Sequence, residues 1–148
     1  MAIELVSATT TFFVDETSLA EPIIKLVISA ILGGVVGLER QLTRKQIGLR
    51  TYMLVSLGAC LFTVISTLQF QADAARIAAG IVTGIGFLGA GSIIASRGHV
   101  HGITTAASLW TVAGIGLAVG SSNYVLAVVA AILVFAILHL KSLVKNLE

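Results

Sequence analysis

His99 and His101 form an H-x-H pair, an arrangement that could hold a metal ion. Two imidazoles suit zinc or copper rather than magnesium, and no third ligand type stands nearby, so a solvated loop is the expected setting. Asp73 and Arg76 lie three residues apart. Asp73 suits a helix N-cap, where a carboxylate meets the positive end of the dipole. Its alternative role is a weak Mg2+ contact. Mg2+ takes oxygen ligands and keeps several waters, so a single carboxylate holds it loosely, and Arg76 competes for that carboxylate. Glu39 and Arg40 close one apolar run, while Arg50 and Thr51 open the next. Pairing of Glu39 with Arg50 would fix a helical hairpin, helped by anionic headgroups at Arg44 and Lys45; the alternative is the cytoplasmic mouth of a site, with Glu39 a second weak Mg2+ candidate, or a docking surface. Gly84-Ile85-Gly86-Phe87-Leu88-Gly89 matches the dinucleotide fingerprint. That motif works at a strand-to-helix turn whose amides reach a pyrophosphate, and here it sits inside an apolar run. It is therefore read as packing.

The elements that position these residues follow from composition. Hydrophobic residues make up 57% of the chain and charged residues 11%, against about 25% charged in a soluble domain. Mean hydropathy is +1.03. A chain this small cannot hide so much apolar area inside itself, so the remainder faces a lipid bilayer. No Asp, Glu, Lys or Arg occurs over residues 51–72, 77–96 or 98–140, runs of 22, 20 and 43 residues. A span needs roughly 17–25 residues; the first two runs hold one helix each and the third holds two. The expected fold is an all-α polytopic bundle with five transmembrane helices, at about 22–38, 51–70, 77–96, 104–120 and 124–140. Residues 1–21 form an acidic lead, irregular or interfacial and unlike a cleavable signal, which would begin basic. Ser18 to Glu21 has capping-box spacing ahead of Pro22, which a first turn tolerates. Lys25 is placed to snorkel. Gly120 can end the fourth helix in the left-handed conformation before Ser121-Ser122-Asn123. Residues 141–148 form a basic tail, and His139 is interfacial. Cys60 stands alone mid-span as a buried thiol.

Seven of the nine basic residues fall on one side of this arrangement: Arg40, Arg44, Lys45, Arg50, Arg97, Lys141 and Lys145. The positive-inside rule then puts the N-terminus outside and the C-terminus in the cytoplasm. Fifteen glycines need a reason in a helical chain, since each costs about 1 kcal/mol against Ala. In lipid, small residues let helices approach closely. Gly33 and Gly37, Gly80 and Gly84, and Gly116 and Gly120 are each four apart, laying a groove along one face. With Gly86, Gly89 and Gly91 these are the expected packing positions, and they suggest a homodimer or small homo-oligomer.

The chain resembles the membrane domain of the MgtC/SapB family. The resemblance rests on Gly37 to Arg40, Gly48 to Thr51, Asp73 to Ala78, Gly84 to Gly91 and Gly102 to Trp110, in order across about residues 20–140. It implies an inner-membrane protein of adaptation to low magnesium, engaged either in Mg2+ transport or in regulating other membrane machinery. It also implies a cytosolic C-terminal domain in larger relatives, expected to be missing from a chain that stops at Glu148. The family match lifts Thr104, Thr105 and Trp110 above the plain expectation that the threonines cap the fourth span.

No catalytic triad, metal cluster or phosphate loop appears, so neither an enzyme nor a nucleic-acid binder is expected, nor any cofactor beyond Mg2+. A transporter would rely on hydroxyls and carbonyls, because intramembrane carboxylates usually mark ion paths and none lies in the second to fifth spans. Ser56, Thr63, Ser66, Thr67, Thr83, Ser92, Ser108 and Thr111 are the hydroxyls available. The alternative is a regulatory or scaffold protein that docks a membrane partner through its glycine-rich faces.

Overall fold

A helix satisfies its own backbone hydrogen bonds, so an apolar run in lipid becomes one. A computed structural model describes residues 16–96 and 99–145. Five helices follow in chain order: α1 (Glu16–Leu42), α2 (Leu49–Gln69), α3 (Ala74–Gly91), α4 (Ile103–Gly120) and α5 (Tyr124–Lys145). A 3-10 turn, Gln71–Asp73, precedes α3, and a two-stranded antiparallel hairpin, β1 (Ile94–Ser96) and β2 (His99–His101), joins α3 to α4. The fold is an all-α bundle. Among the described residues, four helices are long and apolar enough to cross a membrane, and the apolar part of α5, Tyr124–Leu140, is shorter. The acidic lead as far as Asp15, Arg97, and the last three residues of the expected basic tail lie outside the described residues.

Several helix ends differ from expectation. α1 begins at Glu16, so Pro22 sits inside the helix and the Ser18–Glu21 box is not its start; the cost is one backbone bond, to the carbonyl four residues back. α3 stops at Gly91 rather than Ser96. Glycines at positions 89 and 91 weaken the helix there, and Ile93 and Ile94 favour the extended hairpin. α5 continues past residue 140 to Lys145.

The left-handed residue after α4 is Ser122, φ 63°, and not Gly120. Ser122 N–H donates to Val119 O and Asn123 N–H to Ala118 O, a Schellman closure in which the left-handed position comes two residues after Gly120. Gly120 is small for another reason: a Cβ there would lie 2.6 Å from Thr63 Cβ and 2.9 Å from Cys60 O.

That contact belongs to a pattern centred on α2. A Cβ on Gly116 would fall 2.1 Å from Ser56 O and 3.0 Å from Ala59 Cβ. On the other side, a Cβ on Gly33 would meet Ser56 Cβ at 2.6 Å and Tyr52 O at 2.7 Å, and one on Gly37 would meet Tyr52 Cβ at 2.7 Å. α1 and α4 therefore both lie directly on α2. The core that results joins Val36, Tyr52, Cys60, Leu109, Val112, Ile115 and Val119, with Ala127, Ala131 and Val134 of α5 completing it.

The glycines of α3 behave otherwise. Gly80, Gly84, Gly86 and Gly91 have no atom within 4 Å of an added Cβ, and Gly89 makes an ordinary contact with Ala106. Close packing of α3 within one chain, expected from glycine density, is not what these four residues provide. α3 buries only Ile85 and Gly89. With α2 it borders an apolar groove of about 620 Å³ lined by Leu54, Gly58, Phe62, Gly80, Gly84 and Leu88.

Two neighbouring glycines of α4 test this arrangement. Gly114→Ala has open space around it and is expected to hold or raise thermal stability in mild detergent. Gly116→Ala meets rigid backbone and is expected to cost about 1–3 kcal/mol or more, as overpacking does. Equal melting temperatures for the two would contradict the α2–α4 contact.

Candidate functional site

The inward face of α1 carries a residue every three or four positions: Lys25, Ser29, Gly33, Val36, Gly37 and Arg40 are all buried. Polar atoms on this face need partners, because an unpaired polar group away from water is costly. Lys25, 8% exposed, extends its ammonium to Glu21 Oε1 at 2.7 Å, one turn back toward the helix start. Ser29 Oγ donates to Ser56 O at 2.8 Å and lies 2.9 Å from Ser56 Oγ.

Glu39 and Arg40 stand at the other end, each 4% exposed. Arg40 Nε donates to Glu39 Oε2, and Arg40 Nη2 reaches Leu138 O on α5 at 3.5 Å. Beside them Tyr52 is buried completely, its hydroxyl hydrogen-bonded with Ser108, whose Oγ also lies 2.9 Å from Thr105 O. Two cations thus cap the bundle interior, one at each end, with hydroxyls between.

The Arg40 end opens into a cavity of about 660 Å³. Arg40, Arg44 and Lys45 line one side, the first residues of α4 a second, and Ile137 and Leu138 of α5 a third. Arg44 ends α1 in the left-handed conformation, φ 52°. Its N–H donates to Gln41 O and that of Lys45 to Arg40 O, a Schellman closure whose left-handed position usually holds Gly. An arginine there costs about 1 kcal/mol. Gly102 precedes α4 at φ 95°, with Ser92 O 2.1 Å from where a Cβ would fall, so only glycine fits. No side chain caps α4, which leaves its first amides turned to this end of the bundle.

The MgtC family model matches residues 26–147. The chain belongs to the MgtC family. It is 40% identical over 129 residues to "Putative magnesium transporter YhiD" of Escherichia coli K12, covering 81% of this chain and 60% of that protein. It is 43% identical over 112 residues to "Protein MgtC" of Salmonella typhimurium, covering 76% of this chain and 48% of that one. The chain therefore spans about half to three-fifths of the length of these relatives. No solved structure matches it. Family membership and four long apolar helices make it a multi-pass membrane protein.

The family's blocks converge unequally in this MgtC-family fold. Glu39 and Arg40 come together, and Thr104 and Thr105 border the same cavity. Arg50 does not join them: it lies on the exposed face of α2, while Tyr52, two residues on, turns inward, so the expected Glu39–Arg50 pair gives way to Glu39–Arg40. Thr51 is exposed and borders the α2/α3 groove. Asp73 and Arg76 pair at 3.2 Å in solvent-exposed positions at the far end. Asp73 occupies the N-cap of α3, but its carboxylate bonds Arg76 and caps no amide. The expected capping by Thr104 and Thr105 is replaced by Gly102, because α4 starts at Ile103. Trp110 is 52% exposed on α4, close to the middle of the helix. Among the described residues no group of three or more His, Cys, Asp or Glu is placed to hold a metal.

Sequence reasoning passed over the Tyr52–Ser108 and Ser29–Ser56 bonds and the burial of Lys25. A tyrosine in an apolar span signals a hydroxyl partner, and the four-residue steps from Glu21 to Lys25 to Ser29 signal one helix face.

Removing one partner of a buried ion pair leaves the other uncompensated. Arg40→Ala is expected to cost about 3–5 kcal/mol, read as a fall in melting temperature in detergent. Glu39→Leu combined with Arg40→Met should recover most of it. A single Arg40→Ala as stable as wild type would contradict the burial of the pair.

Proposed function

We propose that this chain is the membrane unit of a magnesium-homeostasis protein that acts by docking a membrane partner, and that it does not pass Mg2+ through its own bundle. The link to magnesium comes from the name of the Escherichia coli relative. The mode of action rests on one observation, the polar interior. Lys25 and Arg40 stand at its two ends, each joined to a carboxylate, Glu21 and Glu39. A divalent cation entering from either side therefore meets a carboxylate already held by a cation, and would have to displace it.

The hydroxyls that a Mg2+ path would need are bonded to their own helices or to one another. Thr63 bonds Ala59 O, Thr67 bonds Val64 O, Thr83 bonds Ala79 O, Ser92 bonds Gly89 O and Thr111 bonds Ala107 O, while Ser56 pairs with Ser29 and Ser108 with Tyr52. Only Ser66 Oγ is buried without a partner among the described residues. Back-bonding to the preceding turn uses a hydroxyl's proton inside its own helix but leaves its oxygen lone pairs open, so these groups do not by themselves bar a cation. The partly uncovered α3, with its open glycines, supports docking, either to a second copy as a homodimer or to another membrane protein. This reading places five spans in the inner membrane with the C-terminus cytoplasmic, and it involves neither enzyme chemistry nor a resident cofactor.

The relative's name favours a second reading, in which the chain transports Mg2+. Its path would then run between copies, along α3.

Mg2+ uptake into liposomes containing only the folded, inserted protein separates the two. The expected rate equals that of empty liposomes. Uptake above that level, lowered by Asp73→Asn or Glu39→Gln, would replace the docking reading with transport. Cross-linking in mild detergent is expected to trap a dimer, and Gly84→Leu to reduce it; a monomer throughout would remove self-association from the proposal.

A further inference from the structure

We propose that the cavity at the Arg40 end binds the phosphate of an anionic phospholipid, with the acyl chains running along α5. Three cationic side chains line it: Arg40, Arg44 and Lys45. Glu39, the nearby carboxylate, is turned to Arg40 and does not line the cavity. Arg40 is almost wholly buried, with Nε given to Glu39 and Nη2 making one long bond to Leu138 O. A guanidinium has five N–H donors, so the remainder can serve a ligand in the cavity that Arg40 lines. Planar, paired donors of this kind match phosphate oxygens.

Beside the polar Gln46, His101, Thr104 and Thr105, part of the wall is apolar, and that part points to an amphiphile rather than a free anion. Ile137 and Leu138 of α5 and Ile103 of α4 line the same cavity, and Ile103 and Ile137 are more than half exposed. The cavity thus joins a cationic floor to an apolar flank open to lipid. It lies where α1 ends and α4 begins, the level at which headgroups sit in a spanning bundle. Basic pockets between transmembrane helices take such headgroups.

The backbone of Arg44 adds an independent mark. A left-handed residue that could be glycine is instead an arginine, held at an energetic cost beside the cavity its side chain lines. This inference does not depend on the magnesium reading.

The strain at Arg44 also supplies a clean test. Arg44→Gly relieves it, so loss of binding in that variant cannot be assigned to unfolding. Lipid retained on the purified full chain is counted by native mass spectrometry during titration with phosphatidylglycerol, phosphatidylcholine or inorganic phosphate. Phosphatidylglycerol is expected to bind at least tenfold tighter than phosphatidylcholine. Arg44→Gly with Lys45→Gln should weaken it about 30-fold, as two basic contacts at an anionic headgroup would. Arg76→Gln, at the far end, should leave it unchanged, and Arg44→Gly alone should melt no lower than wild type. Equal binding of the two lipids, or a double variant that binds like wild type, would overturn the proposal. Full displacement of the lipid by millimolar inorganic phosphate would overturn it too, by making the ligand a free anion.

Discussion

Two pairs of glycines bring α1 and α4 onto the backbone of α2, and most other features of the molecule depend on that approach. Apolar side chains gain little by leaving lipid for one another, so helix association in a bilayer relies on close van der Waals contact and on polar bonds. Gly33, Gly37, Gly116 and Gly120 supply the contact, each at a place where a methyl group would meet α2 at 2.1–2.7 Å. The polar bonds follow from it. Ser29 reaches Ser56, and Tyr52 reaches Ser108, only because no side chain separates the helices at those levels. α5 then closes the core with alanines at positions 127 and 131.

The same approach explains how buried charge is tolerated. An ion pair taken out of water loses hydration that its mutual attraction repays only with good geometry and further bonds. Arg40 has Glu39 and the Leu138 carbonyl, and it borders a cavity where water or a headgroup can complete its donors. Lys25 has Glu21, whose carboxylate is largely exposed. Each charge sits at an end of the bundle with one route to the surface, and the middle is left to hydroxyls. The Arg40 end, with Arg44 and Lys45, carries surplus positive charge, while at the other end Lys25 is balanced by Glu21 and Arg76 by Asp73.

α3 stands apart from the three-helix centre. It contacts α4 through Gly89 and leaves four glycines without a neighbour, so its small-residue face and the groove beside it are surfaces of the bundle. The relatives are about twice to five-thirds as long as the stretch matched here. Activities that belong to their full length need not reside in this unit.

Composition and charge spacing alone determined the membrane setting and the helical class, because a bilayer admits only long apolar segments with satisfied backbones. The ordered motif blocks determined the family. Glycine spacing by itself was ambiguous: Gly116/Gly120 and Gly80/Gly84 share the same four-residue step, yet one pair packs against α2 and the other faces outward. Spacing defines a face of a helix, and only the packed neighbours decide what that face meets. The same limit applied to charge. Arg50 was the expected partner of Glu39, but the rotation of α2 that buries Tyr52 turns Arg50 outward, and the adjacent Arg40 takes its place. Ring closure between α1, α4 and α5 created the cationic cavity from residues that are some sixty and then more than thirty positions apart in the chain. No local pattern encodes such a meeting, since it depends on which helix faces are already occupied by closer contacts.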